Sequence, residues 1–300
     1  MPELPEVETI RRTLAAHLAG ERLERVEVLH AHFLVGVEPG RFEGLYAGAR
    51  VEALDRRGKY LILRFAAGLP AWLVHLRMTG RLYYRADPPA PGGDPHLHLR
   101  ARLAGGGWLL FRDVRKFARL HLLAEASGEG GAEGGLFPLP PGWRQLGPDA
   151  LDGGLTPARL ARALAGRRAP VKALLLDQRL LAGLGNIYSD EALWRARIHP
   201  ARAGGSLRSA EIRRLWAAVR GVLAEAIDWR GTTFSDYLDG EGFPGGFAVR
   251  LEAYGRTGQP CRRCGRPLES LRLGGRSATF CPRCQRRAPT SERGGSPGGS

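Results

Sequence analysis

A chain of 300 residues with 43% apolar side chains can build a substantial core, in two domains or in one domain with small modules. Its 45 basic against 30 acidic side chains leave a formal charge of +15 and a pI near 10.7, which points to a polyanion because neutralised phosphates release counterions; a solvated basic surface would give the same numbers. No apolar run approaches the ~20 residues of a membrane span, and the acidic first residues lack the basic and apolar regions of a signal peptide, so the expectation is a cytoplasmic protein without membrane contact.

The first stretch, Met-Pro-Glu-Leu-Pro-Glu-Val-Glu, puts a proline amine at the start of a helix once the initiator methionine is clipped, as it normally is before a small residue. An α-amino group titrates near ~7.7–8.0 against ~10.4 for lysine, so roughly a tenth of it is neutral at pH 7. A secondary amine attacking a sugar carbon can form an iminium, which divides one hard step into two. Pro5 suits a first helical turn, Glu6 and Glu8 complement the helix dipole, and Val7, Ile10, Leu14 and Leu18 make the apolar face. Many ordinary cytosolic proteins also begin with such a helix.

From about Glu21 to Leu123 the pattern shortens to alternating and apolar runs, including 50–54, 60–65, 71–76 and 108–111, which predict the short strands of a β-sandwich or barrel. Lys59 falls in a turn leading into a strand, where a solvated lysine is the plain reading. Met78 stands at the tip of the turn in His75-Leu76-Arg77-Met78-Thr79-Gly80, where core filling is the ordinary role. His96 and His98 alternate on a strand, where a phosphate contact competes with the plainer reading as ordinary strand residues. The stretches 86–95 and 125–142, rich in Gly, Pro and Ala, predict surface loops.

Beyond about Gly147 the pattern is helical. Thr156-Pro157, Pro170 or Val171, Asn186 and Ser209 open four helices, the last capped by Ser209 and carrying Ile212, Leu215, Trp216, Val219, Leu223 and Ile227 on one face. Two glycines, Gly183 and Gly185, break the chain before Asn186, so backbone N–H groups and the asparagine amide converge on an anion, a DNA phosphate; a simple helix cap competes for Asn186. Cys261-x2-Cys264 and Cys281-x2-Cys284, sixteen residues apart, have the spacing of a four-thiolate site for one structural zinc, around a hairpin too small to fold on its own core. Residues 288–300 read as a disordered tail. Only Lys59, Lys116 and Lys172 are lysines and Asn186 is the sole asparagine, so in this arginine-rich chain those sites demand their residues.

Taken together, PELPEVE, the Lys59 turn, the 75–80 and 112–117 segments, the 171–188 stretch and the cysteine pairs resemble the formamidopyrimidine-DNA glycosylases, over roughly residues 2–287. The resemblance implies an α+β architecture. A catalytic β-sandwich domain with an N-terminal helix spans 1–146, a helix-two-turn-helix domain 147–247, and a four-cysteine zinc-finger β-hairpin 248–287. It implies excision of 8-oxoguanine and formamidopyrimidines from damaged double-stranded DNA by a monomer, followed by β- and δ-elimination, in the cytoplasm at the bacterial nucleoid. Pro2 would be the nucleophile and Glu3 the proton-transfer group, with Glu6 supporting. Lys59 would contact the lesion's backbone and Lys172 would approach the damaged site. Met78, Arg115 and Phe117 would fill the hole left by the everted nucleotide, Arg276 at the hairpin tip would meet a flanking phosphate, and 231–247 would close over the base. Val114, Lys116 and Ala118 depart from the family's usual Pro, Arg and Gly and put that loop's backbone in question. Rival readings are an endonuclease VIII-type enzyme for oxidised pyrimidines, disfavoured by Leu4 and Met78, and a non-catalytic damaged-DNA-binding protein.

Overall fold

The computed structural model describes residues 1–90, 93–124 and 137–287. The expected tail from Ala288, residues 125–136 of the second loop and two residues of the first lie outside the described residues.

Helix α1 (Leu4–Leu18) forms where the apolar spacing predicts it, with Pro5 in its first turn. Val7, Ile10, Leu14 and Leu18 are buried to 1% exposure or less, and each such side chain is worth about 1.5–3 kcal/mol of transfer energy. That burial fixes the start of the chain to the core. Two sheets follow. One runs in the order β1 (Leu23–Val28), β7 (Leu97–Leu103), β8 (Trp108–Asp113), β6 (Gly80–Arg85). The other runs β2 (Leu34–Val35), β9 (Arg119–Leu123), β5 (Ala71–His75), β4 (Tyr60–Phe65), β3 (Val51–Arg57), antiparallel except for the β2–β9 pair. Leu61, Leu63 and Trp72 from one sheet and Leu99 and Phe111 from the other share a core with the α1 face. This is the sandwich, not the barrel. A helix the strand pattern did not predict, α2 (Pro39–Tyr46), interrupts it; Pro39 opens it and Phe42 and Tyr46, four residues apart, bury one face.

Four helices come next: α3 (Pro157–Leu164), α4 (Val171–Leu176), α5 (Asn186–Ala196) and α6 (Ser209–Asp228). Thr156 caps α3 by accepting the Arg159 N–H at 3.2 Å. Ser209 does not cap α6. It is the first helical residue, and Glu211 reaches back to the N–H of Arg208 in the cap position at 2.9 Å. Leu160, Leu175, Tyr188, Leu215 and Leu223 form a second core, which takes Leu4 from α1, so the first helix plugs into both.

The seam between the two cores is charged. Asp149 receives the Arg56 guanidinium at 2.5 and 3.0 Å and the Gly58 N–H at 2.8 Å, fixing the β3–β4 turn that carries Lys59. At the other end, β10 (Glu269–Leu273) and β11 (Arg276–Phe280) make a hairpin through Gly274 and Gly275. The surrounding module is seated on α5, where Arg263 stacks on Trp194 at 3.6 Å and Glu191 accepts the N–H groups of Glu252, Ala253 and Tyr254 at 2.8–2.9 Å. Among the described residues no helix is long and apolar enough to cross a membrane.

Candidate active site

The N-termini of α1 and α5 meet, and two carboxylates sit between them. Glu3 accepts the N–H groups of Gly185, Ile187 and Tyr188 at 2.7, 2.9 and 3.4 Å, spending its charge on the positive end of α5. The approach requires glycine, because a Cβ on Gly185 would lie 2.3 Å from the Glu3 carboxyl carbon. Gln178 shapes the same turn, accepting from Gly183 N–H at 2.9 Å and donating to the Leu184 carbonyl at 2.8 Å. The N–H groups expected to meet a DNA phosphate are therefore already occupied by Glu3. Asn186 is not a cap either: it is the first residue of α5, its side-chain oxygen has no partner among the described residues, and its amide lies against Tyr254.

Glu6 is buried one turn on. It accepts the Glu3 N–H at 2.7 Å, the Tyr188 hydroxyl at 2.5 Å and the Thr232 N–H at 2.8 Å. Burial, then the neighbouring Glu3 charge, push its pKa up to about 7, against the smaller lowering by those donors. Glu6 is thus a buried acid that exchanges its proton near neutrality. Sequence reading named neither Tyr188 nor Thr232 as partners, since both pairings join residues far apart in the chain.

Pro2 is buried, and Met1 and Pro2 line a cavity of about 100 Å³ together with Met78, Arg115 and Thr232. Met1 also borders a second cavity, of about 330 Å³, lined by Lys59, His75, Gly185 and Arg276. The two spaces flank the chain terminus. Lys59 is buried without an ion-pair partner among the described residues, and burial lowers its pKa while Glu3 opposes the shift. His75 is held neutral, its pKa down to about 3 through burial with Arg77 and Lys59 adding repulsion, and its Nδ1 accepts the Arg77 N–H at 3.1 Å.

Met78 and Phe117 stand 41% and 47% exposed on neighbouring turns, with the Arg115 guanidinium 4.8 Å from the Phe117 ring centre. Met78 is therefore no core filler. Both turns hang from Asp113, fully buried at the end of β8, which accepts from Thr79 Oγ1 at 2.5 Å and from the Ala118 N–H at 2.7 Å. The departures from the common loop pattern are absorbed: Lys116 takes a positive φ of 58° and Ala118 packs fully buried. His98 is an interior strand residue, its Nε2 2.7 Å from the Asp113 carbonyl oxygen.

The 231–247 segment packs beside the terminus, with Thr232 on Glu6 and Phe234 and Phe243 exposed. Arg276 reaches the second cavity from the hairpin tip. Lys172, expected to approach the damaged site, does not open onto either cavity. It is fully buried, and its ammonium meets Asp190 at 2.6 Å and the Ser277 carbonyl at 2.5 Å.

The four cysteine sulfurs lie within 4.8 Å of one another. Thiolates about 2.3 Å from a tetrahedral zinc are about 3.8 Å apart, so the set fits one structural zinc held by Cys261, Cys264, Cys281 and Cys284. Among the described residues no other His, Cys, Asp and Glu group of three or more is placed to hold a metal.

Comparison with known proteins gives matches over most of the chain. Residues 1–120 match the formamidopyrimidine-DNA glycosylase N-terminal domain, 146–237 the formamidopyrimidine-DNA glycosylase H2TH domain, and 258–287 the zinc finger found in FPG and IleRS. A formamidopyrimidine-DNA glycosylase of Symbiobacterium thermophilum is 47% identical over 285 residues, 95% of this chain and 89% of the relative. The crystal structure of the MutM (FPG) protein from Thermus thermophilus superposes with a TM-score of 0.79 at 41% identity, covering 96% of this chain and 100% of that one. A Lactococcus lactis Fpg in complex with DNA containing an abasic site gives 0.82 at 31% identity, covering 95% and 100%.

Proposed function

The chain belongs to the formamidopyrimidine-DNA glycosylase family, and from that premise we propose how this DNA glycosylase of base excision repair works and on what. Its substrate is damaged duplex DNA carrying 8-oxoguanine or a formamidopyrimidine, engaged by a monomer, and it acts as an AP lyase as well. With Met1 removed, the Pro2 nitrogen attacks C1′ of the everted nucleotide. The C1′–N9 bond breaks and the base leaves with a proton. Glu3 relays a proton to the ring oxygen as the sugar opens, leaving an iminium between Pro2 and C1′. Loss of a C2′ proton expels the 3′ phosphate, and a second elimination expels the 5′ phosphate.

The observation that carries this reading is Glu3 held by three N–H groups at the positive end of α5, next to Pro2 and within the field of Lys59. A carboxylate fixed this way needs no reorganisation when charge develops nearby. Glu6, near neutrality in its pKa, serves as a proton reservoir behind it. Lys59 and Arg276 take phosphates on either side of the target, Met78, Arg115 and Phe117 enter the stack, and Asn186 offers its side-chain amide to the backbone.

Borohydride trapping tests the chemistry. Duplex with 8-oxoguanine opposite cytosine should yield a covalent adduct with the mature protein and none with Pro2→Gly. An undiminished adduct from Pro2→Gly, or faster turnover on thymine glycol opposite adenine than on 8-oxoguanine, would overturn it.

A further inference from the structure

Resting on the reading above, we propose that the buried Lys172–Asp190 pair is a positioning device for Arg276: it sets the β10–β11 hairpin so that its tip reaches the cleft, and Lys172 acts on DNA only through that arginine. The geometry is a two-point grip on one strand, closed by the ion pair behind it. Lys172 Nζ, from α4, donates to the Ser277 carbonyl at 2.5 Å, and Asp190 Oδ2, from α5, accepts the Thr279 N–H at 3.1 Å. The two side chains close on each other at 2.6 Å, with exposures of 0% and 1%. Ser277 is the residue next to Arg276, and Arg276 lines the cavity that holds Lys59 and Gly185.

A two-stranded ribbon is marginal alone, so its orientation comes from whatever its strands are bonded to. Here the zinc cysteines hold the base of the module, and the grip on Ser277 and Thr279 holds the strand that leads from the tip. Buried ion pairs are poor devices for stability alone, since well-packed apolar replacements often do as well; in some proteins they fix one geometry instead, and that is the role assigned to this pair. That explains why a lysine persists here in a chain otherwise given to arginine. A compact ammonium on a flexible stem can meet two oxygens on different elements in a closed space that a planar guanidinium would not fit.

A double-mutant cycle on duplex DNA with a tetrahydrofuran abasic analogue distinguishes this from direct action. Lys172→Met, Arg276→Ala and the combination are compared for dissociation constant across a salt series and for bound zinc. We expect Lys172→Met to weaken binding about tenfold and, like Arg276→Ala, to reduce the salt slope by about 1, the loss of one phosphate contact. In the Arg276→Ala background, Lys172→Met should change affinity less than about twofold, because contacts that act as a unit are not additive. Independent, multiplying effects would place Lys172 on the DNA itself, and an unaltered salt slope would show that the Arg276 phosphate contact does not depend on Lys172; either result overturns the proposal. Should Lys172→Met lose its zinc, the charge-free pair Lys172→Met with Asp190→Leu takes its place in the cycle, and unaltered affinity in that variant would equally refute the grip. A failure to trap any adduct with the unaltered protein would count against the lyase chemistry alone, since this cycle reads binding.

Discussion

At the junction of α1 and α5, Glu3 and Glu6 are enclosed and each is met by three hydrogen-bond donors, whereas the Met78, Arg115 and Phe117 side chains stand in solvent on turns whose base is held by Asp113. The first region is organised before any ligand arrives. The second presents side chains whose final positions are left to the partner. The contrast follows from the work each is asked to do. Proton transfer requires placement within tenths of an ångström, while a wedge must first pass between stacked bases and only then pack.

The sharpest way to break this contrast is Glu3→Gln, which keeps the shape and removes the charge. We expect excision of 8-oxoguanine under single-turnover conditions to fall by about 10²–10⁴-fold, the range for a positioned proton-transfer group, with duplex affinity nearly intact. A loss below about tenfold would mean that the enclosed junction is not where the chemistry occurs.

Glu6 sharpens the comparison through stability. Its folded pKa of about 7 lies above the ordinary 4.5, so between those values the folded state keeps a proton that the unfolded state has released. Its contribution is full below about pH 4.5 and is lost as pH rises towards 7. The loss is on the order of 3 kcal/mol at about 1.4 kcal/mol per pKa unit. Glu6→Gln should remove that decline, so the urea midpoint of the variant relative to the unaltered protein should rise from pH 4.5 to 7; parallel profiles would show that Glu6 titrates normally.

Phe117→Ala tests the exposed side. With the ring in solvent, thermal stability should move by no more than about 0.5 kcal/mol, while excision should fall about tenfold through the lost support for base extrusion. A substantial drop in melting temperature would mean that the wedge is part of the core.

What the sequence made legible divides along similar lines. The α1 face at Val7, Ile10, Leu14 and Leu18, the strand pattern and the two cysteine pairs are local or evenly spaced signals, and all appear in the structure. The meeting of α1 and α5 was hidden because its bonds join residues more than 180 positions apart. A glycine pair before a helix does mark an anion site, and the pattern at Gly183 and Gly185 was sound on that point. It could not show that the anion is the protein's own Glu3. The Lys172 stretch was recognisable, yet the direction of its side chain depended on Asp190 and on a strand about a hundred residues later. Helix α2 was missed because a short helix between strands has too few residues to display its period.

The turn that carries Lys59 has a further lesson for anyone who would move or rebuild it. Its Gly58 N–H and the Arg56 fork both end on Asp149, 91 and 93 positions along the chain. The lysine's address is therefore written in two places, and transplanting Arg-Arg-Gly-Lys-Tyr into another scaffold without an aspartate waiting opposite would carry over the letters and lose the location.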